Sequence, residues 1–534
     1  MLTTLREGRR TPTRDTAATV LSRLQLVVLV ALTVVLGFQA FYWGWHDSLV
    51  TLVGICIVFY FVFVAFKILL NIASYRALPG TGGALPEIED DDLPTFTVLL
   101  PNVNEKFHVL RALLESISRI RYPKDKLQVL LLVEHWDEAT QRLFGLKPGA
   151  TDDELLALPP YASVVLTTPG APGTKPSACD FGLHHAKGEY TVIFDSEDSP
   201  DPLMLLKAVR DFRQAPPAVA CLQARLLFWN VGSPRHGSRG WLASAVTRMY
   251  FAEYVVHFEF VLRGMARLGL IPPLGGTSNI FITRVLREIA IETDTLVKGG
   301  IPREVAETMA AAWDPWCVAE DADIAGWLGR FGYQVEMIPD SWTIEEAPVS
   351  LVKASRQRAR WGKGYAQSGI VQLRHPIQGA RQMGIRPFVG YASMTIGTPL
   401  SLMLNPIFWT LTIAYFITRS PFIHSLFPGP IFYLGVLSAI VGNFVLFYLQ
   451  IAACLRDREP ELVKYMLLIG PWWIFTSYSM WKGVIELFIP KLRFHWHVTE
   501  HGNEDLDIAR AEIDRRHQLM AARRLISLPG AANV

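Results

Sequence analysis

Four long stretches without a charged residue constrain this chain more than any other feature of its sequence. They cover residues 24–45, 48–66, 387–418 and 420–455. A helix needs about 20 mostly apolar residues to cross the hydrocarbon core of a bilayer. Only His46 and Asp47 separate the first two stretches, so we predict a membrane hairpin there rather than a cleaved signal peptide.

The basic residues beside the first hairpin indicate its orientation. Several arginines precede residue 24, whereas the turn at His46 carries no Lys or Arg. Positive charge favours the cytoplasmic side of a membrane, so residues 1–23 are expected to be cytoplasmic. The hairpin, residues 24–74, returns the chain to the same side. The block 75–386 should therefore lie in the cytoplasm as well.

The C-terminal membrane region, residues 387–490, is interrupted by prolines. We predict that residues 387–398 lie at the interface and that two crossings follow. Residues 465–490 are expected to form a helix in the membrane plane, since paired charges and tryptophans favour that position. The basic tail, residues 491–534, then stays cytoplasmic. The sequence thus predicts an integral inner-membrane protein with four crossings, in contact with membrane lipids.

Composition excludes several classes of protein. Half of the residues are hydrophobic and 19% are charged, below the roughly 25% of soluble domains, which excludes a disordered or collagen-like chain. The net charge of +2 provides no field for a nucleic-acid partner. The five cysteines form no Cys-x-x-Cys pair, which argues against a disulfide scaffold or a structural zinc site and fits a reducing compartment.

The block between the membrane regions has the pattern of an α/β domain. Short apolar runs predict strands at residues 95–100, 127–133, 162–167, 190–194 and 218–228, and helical patterns alternate with them. Such alternation favours a mostly parallel sheet with helices on both faces. Ligands of these sheets bind beyond the carboxyl ends of the strands. Three of the predicted strands end in polar or acidic residues, which indicates a site at that edge.

An acidic sequence, Asp195-Ser196-Glu197-Asp198, directly follows one of these strands. Mg²⁺ and Mn²⁺ prefer oxygen ligands and can bind carboxylate and diphosphate oxygens together. We therefore predict a Mg²⁺ or Mn²⁺ site formed by Asp195, Glu197 and Asp198. The alternative is an acidic turn stabilised by its own side-chain hydrogen bonds.

Two further motifs follow, Glu320-Asp321 and Gln357-Arg358-Ala359-Arg360-Trp361. In this order, and after two apolar stretches, the motifs resemble the D, D-x-D, E-D, Q-x-x-R-W pattern of membrane-bound family 2 glycosyltransferases, the class of cellulose, hyaluronan and chitin synthases. The resemblance covers most of residues 96–361. It implies a GT-A-type nucleotide-sugar-binding domain inserted between transmembrane helices, and an inverting, metal-dependent transfer of a hexose.

The resemblance also implies residues that bind the donor, for which a UDP-sugar is the first candidate. They are Pro101, Asn104, Glu105, Glu134, Asp137, Lys175, Asp195 and Arg360. Glu134 and Asp137 stand where the family has a single Asp, so the acid that contacts the base stays open. Lys175 matches a basic position near the diphosphate, with a surface lysine as the alternative. Arg360 would hold the diphosphate through two hydrogen bonds.

By the same resemblance Asp321 is the general base, and Glu320 beside it is the second catalytic candidate. The base removes the proton of the acceptor hydroxyl while this oxygen attacks the anomeric carbon from the side opposite the diphosphate. A single displacement turns an α-linked nucleotide sugar into a β-glycoside. The alternative for Asp321 is the N-cap of a helix over residues 324–328.

Acceptor-binding residues are implied at two places. One is a loop of small residues with Gly276, Thr277 and Ser278, where glycine permits close approach of a sugar. The other is a predicted helix with Gln357 and Trp361 on neighbouring faces; an indole suits the C–H face of a pyranose. A plain turn and an interfacial aromatic helix are the respective alternatives.

A late sequence, Trp496-His497-Val498-Thr499-Glu500-His501, resembles the gating loop of cellulose synthases. The resemblance implies that Trp496, Thr499 and His501 fold over the bound nucleotide, which requires a cytoplasmic position. An ordinary juxtamembrane loop is the alternative.

The sequence thus predicts a membrane-embedded glycosyltransferase that extends a β-linked glycan. The main alternative within this class is an enzyme that glycosylates a lipid acceptor and makes a β-glycolipid. A transporter or receptor with a nucleotide-binding domain would carry charges within its spans or repeated broken helices, and the first two stretches lack such charges. Four crossings are few for a polymer channel, although a homo-oligomer could supplement them.

Overall fold

One eight-stranded sheet forms the centre of the protein. The computed structural model describes residues 12–75, 84–89, 91–231, 241–456, 459–495 and 506–527. In chain order the strands are β1 (Phe96–Asn102), β2 (Leu127–Val133), β3 (Ala162–Leu166), β4 (Tyr190–Ile193), β5 (Ser199–Pro200), β6 (Val219–Phe228), β7 (Asn279–Ile282) and β8 (Gln334–Glu345). Their order across the sheet is β3-β2-β1-β4-β7-β6-β8-β5.

The sheet is mixed and mostly parallel. β1 runs parallel to β2 and β4, β2 to β3, and β6 to β8. β7 is antiparallel to both β4 and β6, and β5 is antiparallel to β8. The α/β, GT-A-type fold class expected from the sequence is thereby confirmed. The carboxyl ends of β1, β2 and β4 meet at one edge, where the site lies.

Sequence patterns located part of this sheet. Each of the five predicted strands is present within two residues of its expected ends. The patterns did not reveal β5, β7 or β8. β8 contains Glu336, Pro339 and Asp340, so it has no continuous apolar run, and β5 and β7 are too short to form a pattern.

Helices cover both faces of the sheet and form the region that the sequence predicts to lie in the membrane. They are α1 (Arg23–Trp43), α2 (Trp45–Ser74), α3 (Phe107–Ser118), α4 (Glu138–Leu143), α5 (Lys175–His185), α6 (Met204–Gln214), α7 (Trp241–Val255), α8 (Arg263–Arg267), α9 (Thr283–Glu288), α10 (Thr293–Lys298), α11 (Arg303–Ala306), α12 (Glu320–Arg330), α13 (Leu351–Gln372), α14 (Pro376–Met383), α15 (Ile385–Ala392), α16 (Thr398–Thr418), α17 (Pro421–Ser425), α18 (Gly429–Arg456), α19 (Ile469–Phe488) and α20 (Leu506–Ser527). Two π-helical segments, Val256–Leu262 and Ser393–Gly397, connect α7 to α8 and α15 to α16.

Four helical segments are long and apolar enough to cross a membrane. They are α1, α2, the helix Ile385–Thr418 and α18. Glycines let α2 and α18 approach closely: a Cβ added at Gly442 would lie 2.9 Å from a methyl group of Val64, and one added at Gly54 would lie 2.7 Å from Ile431. The four apolar stretches of the sequence therefore correspond to helices that pair in the structure. The orientation of these helices in a membrane stays a prediction.

Helix α19 packs along α13, the helix with the Gln357–Trp361 motif. A Cβ at Gly483 would lie 2.2 Å from the backbone carbonyl oxygen of Ala359, so only glycine permits this contact. Lys363 of α13, which is fully buried, places its Nζ 3.3 Å from Glu486 of α19. Within the described residues, α19 is not among the candidate spans. Its place in the membrane plane remains a prediction.

The segment before α1 is bound to the α/β domain. Arg14 is buried, donates to the carbonyl oxygens of Ile289 and Ala312 at 2.9 and 2.6 Å, and pairs with Asp323 of α12 at 3.3 Å. Its guanidinium also lies 5.2 Å from the centre of the Trp327 ring. The N-terminal segment is therefore fixed to the helix that begins with Glu320 and Asp321.

Candidate active site

One cavity of about 1240 Å³ joins the carboxyl edge of the sheet to the membrane helices. Most of the predicted site residues line it, namely Pro101, Glu105, Glu134, Lys175, Asp195, Glu197, Gly276, Thr277, Glu320, Asp321, Gln357, Arg360 and Trp361. Four predicted residues do not: Asn104, Asp137, Asp198 and Ser278. The gating residues Trp496, Thr499 and His501 lie outside the described residues.

Asn104 and Asp137 shape the loops beside the cavity instead of lining it. Asn104 has a positive φ of 51°, and its backbone N–H donates to Asp137 Oδ2 at 2.6 Å. Asp137 Oδ1 accepts the N–H of Thr140 and caps α4. Asp137 therefore ties the loop after β1 to the loop after β2.

Glu134 is the acid at the end of β2 that lines the cavity. Its Oε2 accepts a hydrogen bond from Thr167 Oγ1 at 2.7 Å, and burial raises the pKa of Glu134 to about 7. Its Oε1 is buried without a hydrogen bond among the described residues. A protonated Glu134 could donate one to a ligand there.

Asp198 holds the acidic turn in shape. Its Oδ2 accepts the backbone N–H of Asp195 at 2.8 Å and the hydroxyl of Thr277. Ser196 donates to Glu105 at 2.7 Å, which ties this turn to the loop after β1. The hydrogen-bonded turn considered as an alternative is therefore present, and it directs Asp195 and Glu197, not Asp198, to the cavity.

Lys175 connects the acidic turn after β4 with the first turn of α12. Its Nζ lies 2.5 Å from Asp195 Oδ1 and 3.8 Å from Glu320 Oε1, and it donates to the carbonyl oxygen of Gly276 at 2.7 Å. The side chain is 13% exposed, so the surface-lysine alternative was wrong. Burial opposes its charge, but Asp195 and Glu320 raise the pKa of Lys175 above its usual value, and the ammonium stays charged.

Asp321 lies in the first turn of α12 and lines the cavity. The N-cap of this helix is Ala319, so the N-cap alternative for Asp321 was wrong. Its Oδ2 accepts the N–H of Gly276, and its Oδ1 accepts the N–H of Ala322 at 2.8 Å. Burial raises the pKa values of both Glu320 and Asp321, and the charge of Lys175 opposes this rise.

The loop after Leu274 contains two residues with positive φ angles. Gly276 has a φ of +61° and Ser278 one of +59°. A Cβ at Gly276 would lie 3.7 Å from Asp321 Oδ2. The hydroxyl of Ser278 lies 2.5 Å from that of Thr343 of β8 and is buried, so Ser278 supports the loop from behind the cavity.

Helix α13 brings Gln357, Arg360 and Trp361 to the cavity, which confirms that these residues lie on a helix. The ring of Trp361 lies 5.9 Å from that of Tyr254. Gln357 Oε1 is buried without a hydrogen bond among the described residues. This side of the cavity therefore combines an aromatic surface with an available acceptor atom.

Glu345, at the end of β8, was missed by the sequence analysis. It lines the cavity, and its Oε1 is buried without a hydrogen bond in the described part of the chain. Burial and the charges of Asp198, Glu197 and Asp195 raise its pKa well above the usual value. Because β8 was not predicted, no sequence signal placed this acid at the sheet edge.

No three His, Cys, Asp or Glu side chains of the described residues are grouped closely enough to hold a metal ion by themselves. The donor set still fits a hard cation, because Asp195 and Glu197 both line the cavity and Glu345 places a third carboxyl group near them. Burial and the charge of Asp195 raise the pKa of Glu197. Mg²⁺ commonly uses only one or two protein carboxylates and takes its other ligands from phosphates and water.

The membrane part of the cavity has a different lining. It carries the aromatic rings of Tyr60, Phe408 and Tyr415 and the amides of Asn405, Asn443 and Gln450. These residues belong to α2, α16 and α18. Gln450 Oε1 is buried without a hydrogen bond among the described residues.

Comparison with known proteins gives distant relatives. A protein of Bacillus subtilis (strain 168), named probable glycosyltransferase YdaM, is 21% identical over 427 residues, 77% of this chain and 88% of that protein. The probable glucomannan 4-beta-mannosyltransferase 7 of Oryza sativa subsp. japonica is 25% identical over 287 residues, 53% of this chain and 43% of that protein. The mannosyltransferase PcManGT from Pyrobaculum calidifontis, solved in complex with GDP-Man and Mn²⁺, has 17% identity and a TM-score of 0.48, covering 83% of this chain and 99% of that one.

A family model matches the central part of the sequence. The model of the glycosyltransferase like family 2 aligns with residues 94–364, slightly more than half of the chain. This range begins just before β1 and ends within α13, so it contains the whole sheet and the Gln357–Trp361 motif. The chain therefore belongs to the family 2 glycosyltransferases.

Proposed function

We propose that this protein is a membrane-embedded, inverting glycosyltransferase of the processive type, which transfers a hexose from a nucleotide sugar to a growing β-linked glycan. The observation that carries the proposal is the single cavity that contains the acidic sheet edge and also extends between the membrane helices. A soluble transferase needs no such extension. We place the catalytic domain in the cytoplasm, as the basic residues flanking the first hairpin indicate.

The donor would bind at the edge formed by β1, β2 and β4. Glu134 is suited to hydrogen-bond the base, and Lys175 and Arg360 supply positive charge for the diphosphate. The rice relative is named a probable mannosyltransferase, which adds a nucleotide-activated mannose to the UDP-sugars as a candidate donor. Asp195 and Glu197 would hold a Mg²⁺ or Mn²⁺ ion, which when bound would neutralise charge on the leaving nucleoside diphosphate.

Asp321 is suited to act as the general base. An acceptor hydroxyl oxygen attacks the anomeric carbon as its proton passes to an Asp321 oxygen, and the bond from that carbon to the diphosphate oxygen breaks. The electron pair leaves with the nucleoside diphosphate. The backbone N–H groups of Gly276 and Ala322 orient the Asp321 carboxylate. Trp361 and Gln357 would position the acceptor sugar.

The lining of the membrane part supports a sugar-containing acceptor. Aromatic rings suit sugar C–H faces, and the amides of Asn405, Asn443 and Gln450 can hydrogen-bond hydroxyl groups inside the membrane region. The lipid acceptor remains the second candidate, because much of the same lining is apolar. The two candidates predict products of very different size.

Membrane vesicles that contain the full chain test this proposal. We would supply labelled UDP-glucose, UDP-N-acetylglucosamine and GDP-mannose in parallel with Mn²⁺ and measure product size. A labelled product sensitive to a β-specific glycosidase is expected from one donor, with a long polymer for the glycan and a small, solvent-extractable product for the lipid. Vesicles with Asp321→Asn are the matched control. An α-linked product, or no transfer from any donor, would overturn the proposal.

A further inference from the structure

Lys67 is a cationic side chain in the membrane region that has no acidic partner among the described residues. It lies in α2, and it lines the cavity. Its Nζ is 3.3 Å from the sulfur of Met394 and 5.2 Å from the ring centre of Phe63. Across the described parts of the chain, no carboxylate forms an ion pair with it. Charged residues within membrane spans are costly and mark functional sites by default.

The depth of Lys67 along α2 matches that of lipid headgroups. Lys67 follows Trp45, the first residue of α2, by 22 residues, which corresponds to roughly 33 Å of helix. The hydrocarbon core of a bilayer is about 30 Å thick. If Trp45 lies at the outer boundary, as the predicted topology requires, Lys67 lies at the inner boundary, at the level of the phosphates of the cytoplasmic leaflet.

The Lys67 side chain points in a different direction from that of an ordinary interfacial lysine. Interfacial lysines extend their ammonium groups toward the membrane surface. Lys67 instead contacts Met394 of the segment between α15 and α16 and lines the cavity. It can therefore bind an anion that enters the cavity.

Contacts connect Lys67 to the acceptor loop. The π-helical segment Val256–Leu262 packs against α2, and its Phe258 contacts the loop so closely that a Cβ at Gly275 would lie 2.7 Å from the ring. The next residue, Gly276, donates to Asp321. Lys67 and the proposed base thus line the same cavity, and the π-helical segment and the loop with Gly275 and Gly276 lie between them.

We propose that Lys67 binds the phosphate group of a lipid-linked acceptor whose hydrocarbon chain lies in the apolar membrane part of the cavity. The proposal rests on the proposed function and specifies its acceptor as a glycan attached to an anionic lipid. The phosphate balances the charge of Lys67, and no bond is formed or broken there. A sugar hydroxyl of the same acceptor is then free to reach Asp321. A neutral glycan would leave Lys67 without a counter-charge.

A binding experiment tests this assignment without any sugar donor. The full-length protein is placed in phosphatidylcholine vesicles, and the binding of labelled decyl phosphate is compared with that of decyl alcohol. We expect the wild type to prefer decyl phosphate and Lys67→Gln to bind it at least about tenfold more weakly. Lys67→Arg should retain most of the binding. Lys464→Gln, which removes an exposed lysine, should bind like the wild type.

Two outcomes would overturn the proposal. One is equal binding of decyl phosphate by the wild type and Lys67→Gln while both bind nucleotide sugar, which shows that the variant is folded. The other is displacement of decyl phosphate by inorganic phosphate at equal concentration, since the site would then take a free anion rather than a lipid. Failure of sugar transfer from every donor would overturn the proposed function but would leave these binding results intact.

Discussion

The two ends of the active-site cavity are built in different ways. At the sheet edge, Lys175 lies within 2.5 to 3.8 Å of Asp195 and Glu320, and backbone N–H groups hold the Asp321 carboxylate. The membrane end is lined by aromatic rings and amides from separate helices, and Gln450 Oε1 has no hydrogen bond among the described residues. The groups at the sheet edge form a connected polar network, whereas the membrane end is mainly a surface of side chains from separate helices.

This difference predicts a separation of function. A change in the polar network alters the groups that we propose to act on the donor and on the attacking hydroxyl, so it should affect every reaction of the enzyme. A change in the membrane lining should affect only reactions that need the acceptor. Hydrolysis of the donor by water, measured without acceptor, distinguishes the two cases.

The largest expected effect is that of Asp321→Asn. Asparagine keeps the shape of the side chain but cannot accept the proton, and general-base assistance contributes about 10²–10⁴-fold. Transfer should therefore fall by at least about a hundredfold, while nucleotide-sugar binding changes little. Initial rates and donor binding of the purified protein measure this.

Two further variants serve as controls for that result. Asp125→Asn changes an exposed acid outside the cavity and should leave the rate unchanged. Glu320→Gln tests whether the neighbouring acid, rather than Asp321, is the base. If Asp321→Asn turns over normally and Glu320→Gln does not, the base is Glu320.

The next effect concerns the metal. Asp198 positions Asp195 by accepting a hydrogen bond from the backbone N–H of Asp195, and it also accepts one from the hydroxyl of Thr277. Loss of a group that orients a ligand typically weakens metal affinity by about 10–100-fold. Asp198→Ala should raise the Mn²⁺ concentration for half-maximal transfer by that factor. EDTA should abolish transfer by the wild type.

Thr277→Val provides a graded comparison, because it removes one of the two hydrogen bonds to Asp198 Oδ2. Its Mn²⁺ requirement should lie between those of the wild type and Asp198→Ala. Full activity in EDTA would contradict the metal assignment, and an unchanged Mn²⁺ requirement in Asp198→Ala would contradict the positioning role of Asp198.

A smaller effect is expected in the membrane lining. The ring of Phe408 lies 5.7 Å from that of Tyr60, edge to face. Such aromatic pairs contribute about 0.5–1.5 kcal/mol to the packing that holds each ring in place, and a loss of the same size in acceptor binding is roughly 2- to 10-fold. Phe408→Ala should weaken acceptor-dependent transfer by this factor and leave donor hydrolysis unchanged.

Phe41→Ala on α1 is the matched control for Phe408→Ala, since Phe41 is 84% exposed and lies outside the cavity lining. It should behave like the wild type in both assays. Equal losses of transfer and donor hydrolysis in Phe408→Ala would show that the two ends of the cavity are not separable.

The smallest expected effect is a shift of the pH profile. Burial raises the pKa of Asp321, so transfer should rise with pH through a value above the ordinary 3.9 or so of aspartate, as the base loses its proton. The charge of Lys175 lowers the pKa of Asp321. Lys175→Gln should therefore move this rise to higher pH.

The pH profile of kcat/KM checks this shift, with Lys147→Gln as the control because Lys147 is an exposed lysine paired with Glu138. A profile in Lys175→Gln that moves to lower pH would show that the base and Lys175 do not interact as the structure indicates.

The site residues that follow predicted strands were found from the sequence, whereas those that depend on other contacts were not. Asp195 and Glu134 were located because their strands are continuous apolar runs. Glu345 was missed because β8 has no such run. Ser278 was placed at the acceptor, but its hydroxyl contacts Thr343, a partner on an unpredicted strand that no pattern could reveal.

The sequence by itself determined the apolar helices, the α/β class and the edge at which the acids gather. Each of these follows from local periodicity, because apolar spacing decides which face of an element is buried. The tertiary structure alone decided which polar groups meet. Arg14 illustrates this, since it counted as one basic residue among several before α1 and proves to be buried against Asp323. A buried charge needs a partner, and the fold, bringing together residues far apart in the chain, determines which partner that is.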